Sequence, residues 1–196
     1  MNKIQEIISE KDWNFLISNY SVKDICSSLN FREAMNVTKH LFYDDFRDDE
    51  KQQYALKLAF EIKNYFNKEW KNDWKNDVFL GDLCEILWLY DERYLCYKRA
   101  YDRLKDPPEE LLLLLSNCNS APGTPPITDE ESEFYLRKAL DKNLTCEVAF
   151  AMKSFYRIKK DKSQEEYWNQ IYKKLEKENV HSNQIIPDAL NSDFTK

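Results

Sequence analysis

Two histidines, His40 and His181, are all the imidazole that this chain of 196 residues has for acid–base work. His40 and Asp44 stand four apart, the helical spacing of half a metal site, but no second histidine and no HExxH run accompany them. His40 therefore reads as a surface cation near a helix end, where the helix dipole favours it. The cysteines Cys26, Cys84, Cys96, Cys118 and Cys146 are odd in number, widely spaced and contain no CxxC pair. That pattern suits reduced, buried thiols rather than a disulfide framework or a zinc site. Phosphate-cradling loops and nucleophile elbows need glycines, and the chain has only Gly81 and Gly123, where average usage gives about fourteen. No Walker A, GxSxG, kinase or deaminase signature is present. Acids are plentiful, yet no pair is set apart by opposed environments, as acid and base roles require. The expectation is a protein without catalytic residues, metal or cofactor, a carboxylate-based enzyme being the residual alternative.

Recognition chemistry has more material. Asp44, Asp45, Asp48, Asp49 and Glu50 form the densest charged run, with Arg47 the one base inside it. These acids can complement the dipole of a following helix, or they can form a patch that steers a basic partner. Asp129, Glu130, Glu131 and Glu133 make a second cluster to which the same two readings apply. Trp70 and Trp74 are spaced i, i+4 among polar residues. One helix face can bury both, or they can stand exposed as interface anchors. The interleaved Lys68, Lys71 and Lys75 permit cation–π contact, but Glu69, Asp73 and Asp77 cancel their charge.

Net charge is −6, and no segment has the basic excess of a nucleic-acid footprint. Residues 1–50 carry −4, 51–105 carry +2, 106–147 carry −6 and 148–196 carry +2. A protein partner with a basic surface is the expected complement; nucleic acid and membrane are not. The longest apolar stretch, Leu111 to Leu115, is far too short for a bilayer span, and the first residues lack a hydrophobic signal core. A cytoplasmic location follows as the expectation. Richness in Asn, Lys, Tyr and Ile suits an AT-rich bacterial source.

The elements that must position these residues are helical. Asn30 with Glu33, Thr128 with Glu131 and Ser163 with Glu166 have capping-box spacing, and Asp106 precedes Pro107-Pro108-Glu109 as a helix start. Tyr54, Leu58, Ile62 and Tyr65 lie on one helical face; so do Tyr94, Tyr97, Tyr101 and Leu104. Tyr167, Ile171 and Leu175 repeat the pattern, widened by Trp168 and Tyr172. Short helices are predicted near 2–9, 12–19 and 22–29. Longer ones follow near 31–43, 49–70, 77–90, 92–105, 107–117, 129–142, 146–159 and 164–179. No sustained period-2 run argues for a strand.

From residue 31 onward these helices pair as hairpins whose second members begin 43, 37 and 35 residues apart. Such a period belongs to α-solenoids, in which each helix pair buries its apolar face against its neighbours. The predicted fold class is therefore all-α: antiparallel helical hairpins stacked as an irregular α-solenoid of about 10–11 helices. One domain is expected over 1–180, with short N-terminal helices in 1–30 and hairpins in 31–180. Residues 181–196 form a polar tail or a cap. With Ala100 on the last small position of the tetratricopeptide pattern, Tyr97 takes the preceding aromatic position and Leu80-Gly81 the Leu-Gly pair. Leu56-x2-Ala59 and Leu136-x2-Ala139 echo Tyr97-x2-Ala100. Over roughly residues 50–180 the chain thus resembles a divergent tetratricopeptide-like repeat protein. Asp77, Cys84 and Arg93 replace the usual Trp, Tyr and small residue, and Lys105 stands at the terminal proline. The resemblance implies a module that binds a protein or peptide on its helical surface. An acidic, bacterial immunity-type inhibitor of a cognate toxin is the narrower alternative. The Pro/Gly-rich loop 117–127 is either a linker or a projecting binding loop.

Overall fold

The computed structural model describes residues 3–43 and 49–182. Its helices are α1 (Lys3–Glu10), α2 (Trp13–Asn19), α3 (Val22–Ser28), α4 (Phe31–Tyr43), α5 (Asp49–Tyr65), α6 (Asn67–Asn72), α7 (Lys75–Ile86), α8 (Tyr90–Asp102), α9 (Glu109–Asn117), α10 (Asp129–Lys142), α11 (Cys146–Ile158) and α12 (Lys162–Glu178). A 3-10 turn, Cys118–Ser120, follows α9, and no strand occurs among the described residues. The protein is all-α. The described residues fall into two compact units, one ending at Leu89 and the other beginning at Tyr90. The hairpin expected of helices 77–90 and 92–105 therefore has one helix in each unit.

In the first unit α5 is the central element, with α2, α3, α4, α6 and α7 packed on it. Ala55, Leu58, Ala59 and Ile62 give it a fully buried face, while Tyr65, placed by periodicity on that face, is 57% exposed. The reason is local: the helix predicted over 49–70 breaks at Phe66, whose φ −104° and ψ 46° leave the helical region. α6 starts anew at Asn67, which raises the count of helices among the described residues to twelve. Tyr54 Oη donates to the carbonyl of Tyr20 at 2.8 Å, tying α5 to the end of α2. Trp13 stacks on His40 with centroids 5.7 Å apart, so this histidine is half-buried against an aromatic ring rather than free on the surface.

In the second unit α9 pairs with α10 and α11 with α12 as the sequence predicts, and α8 packs on α9. α10 also meets α11, and α9 meets α11, so successive hairpins touch through corresponding helices. Leu111, Leu112 and Leu115 are buried on α9, and Leu136 and Ala139 on α10, the helix packed on it. Each such leucine contributes about 1.5–3 kcal/mol by leaving water. Ser132 Oγ donates to the buried carbonyl of Ser116 at 2.9 Å, a polar pin within that contact. On α12 the buried aromatic is Trp168, and the predicted face residue Tyr167 is 55% exposed. Leu175 is buried as predicted, and Trp168 of the widened stripe takes the place of Tyr167.

Helix ends account for the shortage of glycine. Asn30 and Glu33 close a reciprocal capping box (2.9 and 3.0 Å), as do Thr128 and Glu131. Two predicted starts move. Asp161, not Ser163, caps α12 by accepting from Gln164 N. α9 begins at Glu109 because Pro108 is extended (ψ 156°), and a proline also holds the residue before it out of the helical region. At four C-termini the left-handed residue after the helix is not glycine: Lys11, Trp88, Lys160 and Asn179, with φ between 55° and 63°. Each sits in a Schellman-type cap; at Lys160, its own N–H bonds Arg157 O while Asp161 N–H bonds Tyr156 O. A left-handed non-glycine residue costs roughly 1–2 kcal/mol, against which glycine loses more entropy on folding. Lys160→Gly is therefore expected to stabilise the second unit by about 0.5–1 kcal/mol. Chemical unfolding of that variant and of Lys160→Val, expected to be destabilised, checks the sign.

Candidate interaction surface

The acidic clusters divide once side chains are in place. Asp49 and Glu50 are exposed in the first turn of α5, where they complement its dipole. Asp44, Asp45 and Asp48 lie outside the described residues. In the second cluster Asp129 accepts from the buried Asn119 amide at 2.9 Å, and Glu131 completes the Thr128 capping box. Glu133 accepts from Arg137 at 2.6 Å and lies 4.0 Å from Lys159 Nζ. Glu130 is exposed. Three of these four acids thus have structural work within their own unit. The loop ahead of them is anchored likewise: Cys118, Asn119, Ala121 and Ile127 are buried, while residues 122–124 at its tip are exposed. Gly123 supplies its positive φ of 84°.

Trp70 is no surface anchor. Its side chain is 1% exposed, and Nε1 donates to Oδ1 of Asp77, itself buried, at 3.2 Å. The break at Phe66 places Trp70 on α6, whereas Trp74 is the residue preceding α7. The two indoles therefore do not share one helical face. Trp74 is half-buried, with Lys75 Nζ 5.9 Å from its ring centroid.

One polar cluster has no counterpart in the sequence reading. The chain leaving α12 runs back to the start of α11, where Val180 O accepts from Cys146 N at 2.9 Å. His181 Nδ1 lies 2.9 Å from Glu147 Oε1, and Ser182 N donates to Glu147 Oε2 at 2.9 Å. The Ser182 hydroxyl reaches Glu109, Glu147 and Thr145, and the fully buried Thr145 donates to Glu109 at 2.7 Å. Partial burial opposes ionisation of Glu147, but hydrogen bonds from the Ser182 backbone, the His181 ring, its own backbone and the Ser182 hydroxyl prevail. They pull the carboxyl down to about 2. A serine, a histidine and two carboxylates suggest hydrolytic chemistry by inventory. Nucleophile activation requires the imidazole to take the hydroxyl proton, however, and here both groups bond Glu147. The geometry makes a latch that ties the segment leaving α12 to the starts of α9 and α11; the rest of the tail or cap expected over 181–196 lies outside the described residues.

The remaining feature is apolar. Trp88 occupies the left-handed position after α7, with φ 63°, and is 72% exposed. Ile86 and Leu89 beside it are 38% and 37% exposed. Bulky residues rarely adopt positive φ, and strained backbone persists where the surroundings or the function demand it. Among the described residues no group of His, Cys, Asp and Glu could hold a metal ion, and the five cysteines are buried and form no disulfide. No described helix is long and apolar enough to cross a membrane. Compared with known families, curated proteins and solved structures, the chain matches none.

Proposed function

We propose that this chain is a non-enzymatic protein-interaction module that binds a protein partner with a basic surface. The exposed, strained Trp88 between Ile86 and Leu89 carries the reading, because large aromatics left in water are characteristic anchors of protein interfaces. The hairpin-on-hairpin packing of α9 to α12 supports a tetratricopeptide-like scaffold for such a role. The net charge of −6 selects a basic partner and brings salt sensitivity to its association.

The same charge favours the narrower reading of an immunity-type protein that neutralises one basic toxin. Capture by the immobilised full chain from native lysate of its source, with mass spectrometry at low and high salt, tests both. The expected result is protein recovery that falls as salt rises. A single basic partner whose toxicity the chain abolishes selects the inhibitor; several partners select the scaffold. Recovery of no protein above the bare support overturns the proposal.

A further inference from the structure

We infer that the corner joining α11 to α12, residues 157–163 of the second unit, docks an acidic segment of a partner protein that carries an apolar side chain, independently of the basic-partner reading above. All seven residues of the corner are exposed, and four of them, Arg157, Lys159, Lys160 and Lys162, are cations. The one acid among them, Asp161, is engaged as the N-cap of α12, accepting from Gln164 N at 3.1 Å. Local structure explains only part of this charge. Arg157, Lys159 and Lys160 end or follow α11, where the helix dipole favours cations, and Lys159 also lies 4.0 Å from Glu133. Lys162 works against its own helix, standing in the first turn of α12, where the dipole disfavours a cation. Lys160 keeps a left-handed backbone that glycine holds with less strain. The side chains of Arg157, Lys160 and Lys162 make no hydrogen bond or ion pair among the described residues. Of the acids that follow on α12, Glu165 is half-buried and Glu166 accepts from Gln170.

Charge and polarity together specify the occupant. Ile158, 47% exposed, stands between Arg157 and Lys159, so an apolar contact is flanked by positive charge. Carboxylates set beside an apolar side chain complement that pattern, and a basic segment is repelled by it. A nucleic acid fits it poorly. The corner has no aromatic ring for base stacking, and the net charge of −6 opposes a long polyanion.

Random peptides displayed on phage and selected on the full chain supply the probe. The expected result is enrichment of peptides that set Asp or Glu around an apolar residue, with binding that weakens as salt rises. Lys162→Glu gives α12 an acid where its dipole favours one, and Lys160→Gly relieves the left-handed backbone, so both are expected to fold at least as stably as the wild type. Each is nevertheless expected to bind the acidic peptides more weakly, Lys160→Gly by about 3-fold and Lys162→Glu by about 10-fold. Ile158→Ser, with helix content checked by circular dichroism, is expected to lose about 5-fold by removing the apolar contact. Unchanged affinity in the two lysine variants or in Ile158→Ser overturns this surface, as does a selection that yields no acidic peptide. Enrichment of basic peptides alone overturns it and supports the basic-partner reading. A single-stranded oligonucleotide that binds more tightly than every selected peptide and is lost in Lys162→Glu overturns it in favour of nucleic acid. Wild-type self-association abolished by Lys162→Glu overturns it in favour of a second copy of the chain.

Discussion

Truncating Trp70 to alanine is expected to destabilise the first unit by about 3–5 kcal/mol, the cost of removing a large aromatic from a packed interior. The side chain is 1% exposed and supplies a hydrogen bond to the buried Asp77 as well as its apolar area. Two effects are separable. Trp70→Phe keeps most of the ring volume but deletes the indole N–H, so Asp77 loses one donor at a site shielded from water. That loss is expected to cost about 1–3 kcal/mol on its own. Urea unfolding of both variants, followed by circular dichroism and by the fluorescence of the remaining tryptophans, gives the two values. If Trp70→Ala costs less than about 1 kcal/mol, α6 is not packed as described, because a surface tryptophan gives a loss of that size.

This side chain also marks where the sequence misleads. The i, i+4 spacing of Trp70 and Trp74 presumes a continuous helix, and the extended Asp73 (φ −132°, ψ 120°), with the restart of α7 at Lys75, removes that premise. Neither this break nor the one at Phe66 is marked by glycine or proline, although Asn64, Tyr65, Phe66 and Asn67 are all weak helix formers. Similar reasoning explains Tyr167 and Trp168. Periodicity fixes the pitch of the buried stripe but not its phase when aromatics occupy adjacent positions, and packing of α12 on α11 chose Trp168. Where cap chemistry and apolar period agree, as at Asn30–Glu33 and Thr128–Glu131, the boundaries of α4 and α10 coincide with the sequence reading. Agreement between independent local signals is what makes an element legible.

The candidate surface was less legible because its signals are conformational. Composition directs attention to the acid clusters, yet a capping box, the Asn119 amide and Arg137 absorb three of the four acids at the start of α10. Trp88 is inconspicuous in the run EILWLYDE, which reads as one more apolar turn of a helix predicted to reach residue 90. Only the left-handed backbone at the end of α7 turns that indole outward. The latch is hidden for another reason. Glu109, Glu147 and Ser182 are brought together by tertiary packing of α9 on α11 and by the return of the chain after α12. No local pattern could place a glutamate 73 residues from its serine.

The latch makes the second large prediction. Glu147→Gln removes the anionic acceptor that receives Ser182 N and faces His181 Nδ1. Hydrogen bonds to a charged group contribute about 1.5–3 kcal/mol each, but the Glu147 side chain is 40% exposed and solvent screening discounts them. A loss of about 1–2 kcal/mol near neutral pH is expected. Its pH dependence follows from linkage: the folded carboxyl lies at about 2 and its ordinary value is 4.5, so the folded state binds this proton more weakly than the unfolded one. The stabilisation is therefore complete above about 4.5, declines below it and is gone once pH has fallen through about 2. Wild-type stability should drop more steeply across that window than that of Glu147→Gln, so that the two curves converge at its acid end. Amide exchange supplies the local signature. Ser182 N–H, protected by Glu147 in the wild type, should exchange freely in the variant while amides in the middle of α10 keep their protection. Thr145→Ala is expected to cost about 1–2 kcal/mol by removing the buried cap of α11 together with the Glu109 contact. Because Ser182 bridges Glu109 and Glu147, the double variant should lose less than the sum of the two. Strict additivity, or unchanged Ser182 exchange in Glu147→Gln, would show that the strap is held by something other than this cluster.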